Sequence, residues 1–380
     1  MSETIGKKII ILTASIGAGH VRCAEAIQKA LELRMPGADI PIIDCSERHI
    51  SCISWWQKKI YLQMLALVPN LYDIFYRLAG GKSAGKIARL AFATALLPGI
   101  CGVLDKYCPD TVICTHPFPA GAVALAKRLG RATAKLAVVL TDYSVHEIWL
   151  YREADMYFTA TEAMQQEIIG KNFITAAVHP TGIPVTRGAS LDKKTAREKL
   201  SVPSASKVIL LMGGGLGLGH MEKTLAALEN LPFPFTVLAV TGKNERLRQK
   251  LTCFAARAKQ QIFVWGYTDE IPLLMAAADI VITKPGALTV SEAFVHGLPL
   301  ILVDPIPGPE ADNARFAVKV GAALWPKSGD YLFDAVKNIL TDGDRLSAMK
   351  WAALNVAKPQ AADDIAKLVL FKDAKILRGA

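Results

Sequence analysis

The feature that most constrains the fold is a repeated unit of a short apolar strand, a glycine-rich turn and a helix. The first copy runs from Ile9–Leu12 through Gly17–His20 into a helix predicted over residues 21–34. The second copy runs from Val208–Met212 through Gly213–Gly219 into another predicted helix. Strands that enter helices through glycine turns begin βαβ units, whose crossovers give parallel sheets. The sequence therefore predicts two Rossmann-like α/β domains.

Other short apolar runs bounded by turn residues supply the remaining strand candidates. These are Ile40–Ile43, Thr111–Cys114, Leu136–Leu140, Thr236–Val240, Gln261–Val264, Ile280–Thr283 and Leu300–Val303. Glycine and proline interrupt any regular element near Thr181–Leu191, which places a domain boundary there. We expect an N-terminal domain over residues 1–187, a C-terminal domain over 188–355, and a helix in 356–380 that packs back on the first domain.

Composition limits the class of protein. A chain of 380 residues with 52% hydrophobic and 21% charged residues is globular and long enough for two domains. A net charge of +10 indicates an anionic partner, which could be nucleic acid, anionic lipid or a phosphorylated substrate. The 7 cysteines include no C-x-x-C pair and are expected to be reduced, buried thiols of a cytoplasmic protein. No run of 18 uncharged apolar residues occurs, so we expect no membrane-spanning segment.

One segment, Ile50–Pro98, does not follow the strand–helix alternation. It interleaves aromatic and basic side chains at helical spacing, as a helix in the headgroup region of an anionic membrane would. An ordinary amphipathic helix pair that covers the sheet is the alternative. On the first interpretation the membrane-contacting residues are Trp55, Trp56, Lys58, Lys59, Lys82, Lys86 and Arg89.

Two loops of the C-terminal half are predicted to lie at the carboxyl ends of neighbouring parallel strands, where α/β sheets bind ligands. Lys284–Glu292 follows a strand and begins a helix, and Pro305–Asn313 follows the next strand. Free N–H groups at the helix start, together with the Thr289 and Ser291 hydroxyls, suit a diphosphate. The Glu292 carboxylate can accept both hydroxyls of a ribose. However, Thr289 and Glu292 also have the spacing of a capping box, in which they would only stabilise the helix end.

Other glycine and acidic motifs are less specific. Gly213–Gly219 could hold phosphates or form a plain strand–helix turn, and it does not fit G-x-G-x-x-G, so a dinucleotide dehydrogenase is poorly supported. Asp342 and Asp344 have the spacing of a D-x-D metal site but lie in a predicted turn between late helices. We therefore expect no metal site there.

A group of polar residues follows the strands of the N-terminal half. His20 lies at the first turn of its helix, where the positive helix end would lower its pKa and keep it able to accept a proton. A hydrogen-bonded structural histidine is the alternative. His116, Asp142 and His146 follow later strands and are expected at the same sheet edge. Their spacing matches no metal-binding motif.

The combination resembles the monogalactosyldiacylglycerol synthase and processive diacylglycerol glucosyltransferase family, in glycosyltransferase family 28. The resemblance covers nearly the whole chain. It also extends, more distantly, to the N-acetylglucosaminyltransferase of the peptidoglycan lipid precursor. The residues that carry it are Ser15–His20, Thr141–Trp149, Thr181–Val185, Gly213–Gly219, Lys284–Glu292 and Pro307–Asn313.

The family resemblance implies a GT-B fold, two Rossmann-like parallel-sheet domains facing across a cleft. It implies that His20 is the catalytic base and that His116, Asp142 and His146 lie on the acceptor side. It assigns a UDP-sugar to Gly213, Gly214, Gly215, Gly217, Gly266, Tyr267, Leu288, Thr289, Ser291, Glu292, Glu310 and Asn313, with the uracil near Gly266 and Tyr267. Pro309 stands where the family's P-G-Q-E motif has glutamine, so the identity of the sugar stays open.

The expected function is transfer of glucose or galactose from a UDP-hexose to diacylglycerol, with inversion and without a metal or other cofactor. The enzyme is expected at the inner face of the cell membrane as a peripheral protein that binds no nucleic acid. The alternatives are a UDP-N-acetylglucosamine transferase acting on a polyprenyl-linked lipid, a UDP-sugar 2-epimerase, and a catalytically degenerate membrane-surface binding protein.

Overall fold

The computed structural model describes residues 6–15, 18–46, 84–186, 192–214, 220–305, 308–326 and 329–371. The chain folds into two compact units. The first comprises Met1–Thr186, Pro307–Pro309 and Pro359–Ala380, and the second comprises Arg187–Ile306 and Glu310–Lys358. Along the described chain, the second unit thus lies between two parts of the first.

A parallel sheet forms the centre of the first unit, with strand order β2-β1-β3-β4-β5-β6. β1 and β3 are buried along their whole length, because helices cover both faces of a parallel sheet. The order reverses direction between β1 and β3, so the carboxyl ends of these two strands form a topological switch point. The strands are β1 Ile9–Thr13, β2 Ile42–Asp44, β3 Thr111–Cys114, β4 Lys135–Val139, β5 Met156–Phe158 and β6 Ala177–His179.

The second unit contains a sheet of the same kind, with order β12-β11-β10-β7-β8-β9. Its neighbouring strands all pair in parallel. Here the order reverses between β7 and β10, which places the second switch point at their carboxyl ends. The strands are β7 Lys207–Met212, β8 Phe235–Val240, β9 Gln261–Trp265, β10 Ile280–Thr283, β11 Leu300–Leu302 and β12 Ala323–Leu324.

Helices cover both sheets and are numbered in chain order. They are α1 Ala18–Glu32, α2 Ala84–Tyr107, α3 Pro117–Arg128, the 3-10 helix Glu147–Trp149, α4 Glu162–Ile169, α5 Lys193–Lys199, α6 Met221–Leu228, α7 Glu245–Ala255, α8 Ile271–Ala277, α9 Ala287–Val295, α10 Pro309–Lys319, α11 Gly329–Thr341, α12 Gly343–Val356 and α13 Ala361–Phe371.

The last described helix, α13, packs on the first. Ile27 and Leu31 of α1 share a buried cluster with Ile365 and Val369 of α13 and with the strands β1 and β3. The Lys7 ammonium group also donates a hydrogen bond to the carbonyl oxygen of Leu370 over 2.7 Å. Burial of this apolar surface makes α13 part of the first unit's core.

Helix α2 contains a stretch, Arg89–Tyr107, that is long and apolar enough to cross a membrane by length and composition. The core helix of a soluble protein can pass the same test. Within the structure α2 lies against α3 and buries Ile100, Val103 and Leu104, but most of the stretch Arg89–Tyr107 is not buried. Phe92 of α2 also stacks on Phe118 of α3, with ring centroids 4.4 Å apart.

Six cysteines lie among the described residues, and all are free thiols. Cys23, Cys45, Cys101 and Cys114 are buried, as expected from the apolar runs that contain them. Burial raises the pKa of the Cys45 and Cys114 thiols, so both stay protonated. The expectation was wrong for two others, because Cys108 and Cys253 are exposed.

Candidate active site

His20 lies at the switch point of the first sheet, in the first turn of α1. Its Nδ1 atom lies 2.9 Å from the carbonyl oxygen of Thr115 and 2.9 Å from the Thr141 hydroxyl. A carbonyl oxygen can only accept a hydrogen bond, so Nδ1 carries the ring proton. The Nε2 atom of the neutral ring is therefore the basic nitrogen, and its orientation is fixed by residues that follow β3 and β4.

The protonation state of His20 follows from its surroundings. Burial lowers its pKa to about 4, and the hydrogen bond to Thr115 offsets this only in part. A lowered pKa was predicted from the helix dipole, but its principal cause is burial. Because the pKa lies below neutral pH, the ring is neutral there and can accept a proton.

His116 lies beside His20, with ring centroids 4.5 Å apart in an edge-to-face arrangement. Burial lowers the pKa of His116 well below its ordinary value, and the neighbouring His20 adds to the effect. Its Nδ1 atom accepts a hydrogen bond from the backbone N–H of Phe118 and so caps α3. The Trp149 ring lies 6.4 Å from His20 and forms another wall of this group.

His146 and Asp142 lie in the segment that follows β4. The Nδ1 atom of His146 accepts a hydrogen bond from the N–H of Ile148 over 3.3 Å and caps the 3-10 helix. Asp142 follows Thr141 directly and is half-buried. The structure thus brings His116 and Thr141 to His20, Asp142 directly follows Thr141 in sequence, and His146 caps the 3-10 helix.

Sequence reasoning missed three threonines that surround His20. Thr13, Thr115 and Thr141 are buried and occupy the same place, at or just beyond the carboxyl ends of β1, β3 and β4. The Thr115 hydroxyl lies 2.9 Å from that of Thr13 and 3.0 Å from the carbonyl oxygen of His20. A threonine at each of three parallel strand ends was the signal that could have identified them.

In the second unit, the start of α9 lies at the switch point between β7 and β10. Gly286 is the N-cap and has no side chain to bond the first N–H groups. The capping-box interpretation is wrong, because Thr289 is the third residue of the helix and not its cap. The N–H groups of Ala287, Leu288 and Thr289 belong to the first turn, where a helix offers no internal acceptor.

Two residues predicted to bind the UDP-sugar form hydrogen bonds with the protein backbone. The Ser291 hydroxyl donates a hydrogen bond to the carbonyl oxygen of Ala287 over 2.8 Å and is buried in the helix face. The Asn313 amide is also buried and donates to the carbonyl oxygen of Pro285 over 3.2 Å. Both side chains are thus buried and bonded to backbone carbonyl oxygens, and their direct contact with a UDP-sugar stays a prediction.

Glu292 and Glu310 are the two carboxylates that were predicted to bind the UDP-sugar. Both are half-buried and belong to the helices that follow β10 and β11, respectively. Glu292 lies four residues after Leu288, so it is on the same face of α9 as the first turn. A carboxylate at this place can reach a group bound at the helix start.

Glycines mark the ends of the strands on the other side of the switch point. Gly213 and Gly214 follow β7, and Gly214 has a φ of 70°, a conformation that favours glycine. Gly215 and Gly217 lie outside the described residues. Gly266 follows β9, where an added Cβ would lie 3.2 Å from the Arg248 Cδ atom.

Tyr267, next to Gly266, is 53% exposed. The Lys243 ammonium group lies 5.3 Å from the centre of its ring. Lys243 follows β8 and Tyr267 follows β9, so this cation–aromatic pair joins two loops at the carboxyl edge. The sequence analysis named Tyr267 and missed Lys243.

A second pair that the sequence analysis missed joins the loops after β7 and β11. The Nδ1 atom of His220 lies 3.2 Å from a carboxylate oxygen of Asp304, and the His220 N–H also points to that oxygen. Asp304 has a φ of 44°, which is uncommon for a residue with a side chain. The pair lies at the carboxyl edge of the second sheet.

Arg89 was predicted to contact a membrane, but its guanidinium group is used inside the first unit. It donates hydrogen bonds to the carbonyl oxygens of Glu147 and Leu150 over 2.7 and 2.9 Å. It also lies 5.7 Å from the centre of the Tyr151 ring. The prediction is corrected for Arg89. Trp55, Trp56, Lys58, Lys59 and Lys82 lie outside the described residues, as does the side chain of Lys86.

Asp342 and Asp344, which have the spacing of a D-x-D motif, lie at the start of α12. Asp342 accepts a hydrogen bond from the N–H of Arg345 and caps α12, which accounts for the D-x-D spacing. Within the described ranges, no group of three or more His, Cys, Asp or Glu side chains is placed to hold a metal ion.

Comparison with known proteins matches both halves of the chain. Residues 20–185 match the family model for monogalactosyldiacylglycerol (MGDG) synthase, and residues 208–369 match the glycosyltransferase family 28 C-terminal domain. A processive diacylglycerol beta-glucosyltransferase of Bacillus cytotoxicus is 31% identical, over 96% of this chain and 93% of that relative. The chain belongs to the MGDG synthase and diacylglycerol glucosyltransferase family. The resemblance seen in its motifs is confirmed.

Solved structures show that this family 28 chain has the expected two-domain α/β fold of the GT-B class. MurG of Acinetobacter baumannii superimposes with a TM-score of 0.64 at 19% identity, covering 96% of this chain and 99% of that one. A proposed UDP-N-acetylglucosamine 2-epimerase of Listeria monocytogenes also gives 0.64, at 15% identity and over 98% and 99% of the two chains. The fold is therefore shared by transferases and epimerases, and the sequence relatives decide the family.

Proposed function

We propose that this chain is an inverting glycosyltransferase that moves a hexose, glucose or galactose, from a UDP-sugar to diacylglycerol. Relatives at about the same length are processive diacylglycerol beta-glucosyltransferases. The observation that carries the proposal is the fixed ring of His20, whose Nδ1 is bound to Thr115 and whose Nε2 is left basic.

His20 acts as the general base in this proposal. Its Nε2 atom takes the proton of the acceptor hydroxyl while that oxygen attacks the anomeric carbon of the sugar. The bond from the anomeric carbon to the UDP oxygen breaks, and UDP leaves with the electron pair. Attack from the face opposite UDP inverts the anomeric carbon, and the imidazolium then returns its proton to solvent.

The second unit would hold the donor. The first-turn N–H groups of α9 suit the diphosphate, because a helix N-terminus stabilises negative charge. Glu292 would accept the ribose hydroxyls, and the backbone near Gly266 would contact the uracil. Glu310 at the start of α10 would face the sugar.

We propose that the leaving UDP is stabilised by this helix end and by the glycine loop after β7, without a metal ion. The test is transfer in excess EDTA with and without added Mg²⁺ or Mn²⁺. Unchanged turnover in EDTA supports the proposal, and loss that is restored by one divalent ion overturns it.

The acceptor dissolves in a membrane, so we propose that the enzyme binds the anionic inner face of the cell membrane through residues 50–98. The aromatic and basic composition of that segment supports this docking. Co-sedimentation with anionic vesicles should weaken with salt and with Lys58→Met combined with Lys59→Met. A matched double substitution at Lys223 and Lys250, exposed in the second unit, serves as control.

A transfer assay tests the function as a whole. Radiolabelled UDP-glucose and UDP-galactose are supplied with vesicles that contain diacylglycerol, with a polyprenyl-linked acceptor, or with no acceptor. A labelled diacylglycerol product supports the proposal. Product only with the polyprenyl acceptor, or an altered UDP-sugar without acceptor, would identify a precursor-lipid transferase or an epimerase. UDP binding without any product would indicate a degenerate binding protein.

His20→Ala separates the base from the donor site. We expect UDP to bind with unchanged affinity and turnover to fall by roughly 10²–10⁴-fold, the usual contribution of a general base. Turnover equal to that of the unaltered enzyme would remove His20 from the mechanism.

A further inference from the structure

A cavity of about 260 Å³ lies in the second unit, at the edge opposite the start of α9. Ala278, which precedes β10, and Leu298, which precedes β11, both line it, so it lies at the amino ends of these strands. The proposed donor site lies at their carboxyl ends. The cavity is therefore separate from that site.

Basic side chains enter the cavity from two helices. Lys193 of α5 and Lys350 of α12 line it together with His296, which caps α9. The remaining wall includes the apolar side chains of Met275, Leu298 and Leu354. A half-open pocket with two ammonium groups and an apolar wall suits an amphiphilic anion.

The carboxylate of Asp279, next to these lysines, already has a partner on each oxygen. One oxygen of Asp279 lies 2.6 Å from the Lys193 ammonium nitrogen. The other accepts hydrogen bonds from the Arg197 guanidinium group and from the N–H of Val208, each over 2.8 Å. In the described ranges no carboxylate forms an ion pair with Lys350. Two cationic side chains thus pair with Asp279, and the Lys350 ammonium group adds a third positive charge beside them.

The positive charge of Lys350 is destabilised by its surroundings. Burial lowers the pKa of Lys350, and the neighbouring Lys193 ammonium group lowers it further, while Asp279 opposes the shift. The carboxyl ends of α8 and α9 also lie here and attract cations. The described residues that line the cavity include no carboxylate, so an anion bound there would add negative charge beside the two ammonium groups.

We propose that this cavity binds a phosphate-type anion, either a soluble phosphate ester or the phosphate of a lipid headgroup. The anion would lie between Lys193 and Lys350 and supply the missing negative charge. A short hydrocarbon portion would contact Leu298 and Leu354. The site stands apart from transfer of the sugar, so its test does not depend on catalysis.

Calorimetry on the full chain, without UDP-sugar, tests the proposal with three probes. They are inorganic phosphate, glycerol 3-phosphate, and phosphatidylglycerol in phosphatidylcholine vesicles, with phosphatidylcholine alone as blank. Lys350→Met keeps the apolar stem and removes the ammonium group. Lys337→Met, an exposed lysine of α11, removes the same charge elsewhere. Thermal unfolding shows that each variant is folded.

We expect saturable binding that weakens at least 10-fold in Lys350→Met and is unchanged in Lys337→Met. Sensitivity of the soluble probes to Lys350→Met would identify a metabolite site, and sensitivity confined to phosphatidylglycerol vesicles would identify a headgroup site. The proposal is overturned if no probe binds, or if both variants weaken binding equally. Replacement of Lys193 by Met provides a second variant, for which the same loss is expected.

Discussion

The side-chain amide of Asn313 donates a hydrogen bond to the carbonyl oxygen of Pro285 over 3.2 Å. Asn313 is buried on α10, and Pro285 directly precedes Gly286, the N-cap of α9. One helix thereby holds the backbone that orients the first turn of another. Through this bond Asn313 is placed to hold the backbone at the proposed diphosphate site.

Asn313→Ala should weaken donor binding indirectly. A buried carbonyl left without its donor costs about 1–3 kcal/mol, so the KM for the UDP-sugar should rise several-fold and the melting temperature should fall. Steady-state kinetics and thermal unfolding measure both. Asn355→Ala, an exposed amide on α12, should change neither. A wild-type KM in Asn313→Ala would show that the link does not position α9.

Glu292→Gln tests the proposed ribose contact. Loss of the carboxylate should raise the KM for the UDP-sugar by roughly 10-fold, since hydrogen bonds to a charged group contribute about 1.5–3 kcal/mol. A sugar donor with 2′-deoxyuridine should bind the unaltered enzyme more weakly than the normal donor does. Its affinity should fall little further in Glu292→Gln, because the hydroxyl that the carboxylate binds is already missing.

The exposed Glu198 on α5 provides the matched control, and Glu198→Gln should leave both donors unaffected. Equal losses for the ribose and deoxyribose donors in Glu292→Gln would mean that the carboxylate acts elsewhere.

The pH dependence of kcat/KM should reflect the buried His20. Its pKa is lowered from an ordinary 6.5 to about 4, so the base is neutral and active above that range. As pH falls, kcat/KM should stay level through 6.5 and decline only as it approaches 4. An acid limb with its midpoint near 6.5 would contradict the assignment of His20 as the base.

Arg89→Met should affect stability and spare membrane binding. It removes two charge-assisted hydrogen bonds to carbonyl oxygens, each worth about 1.5–3 kcal/mol, and frees the 3-10 helix at Glu147–Trp149. The free energy of unfolding should fall, while vesicle co-sedimentation should not change. Arg128→Met, exposed on α3, should leave stability as it was. Vesicle binding lost without loss of stability would restore Arg89 to the docking surface.

Much of the fold could be predicted because parallel strands are buried on both faces and appear as continuous apolar runs. Thr111–Cys114 and Ile280–Thr283 were predicted at the bounds that the structure has. The strands missed were short ones at or next to a sheet edge, β5, β6 and β12. Two or three residues are too few to show the alternation or the apolar run of a strand. These strands are recognised only by their pairing with a neighbouring strand.

The candidate site was only partly predictable for a different reason. The glycine turn and His20 stand together in sequence, but Thr115 and Thr141 reach His20 from 95 and 121 residues away. Serine is a residue type that often binds phosphate, so Ser291 was predicted to do so. Only the structure shows that its hydroxyl bonds a backbone carbonyl of the same helix. Sequence spacing identifies which residues can meet a ligand and does not show which of them turn inward.

The packing of α13 on α1 affects how the chain is made. β1 and α1 leave the ribosome before the second unit does, yet Ile365 and Val369, which complete their apolar cluster, emerge after that unit. During synthesis the face of α1 that α13 covers therefore stays exposed, while the second unit can already fold. A part of the fold that is made before the second unit is thus completed after it, and stalling before α13 would leave the apolar face of α1 open to aggregation and proteolysis.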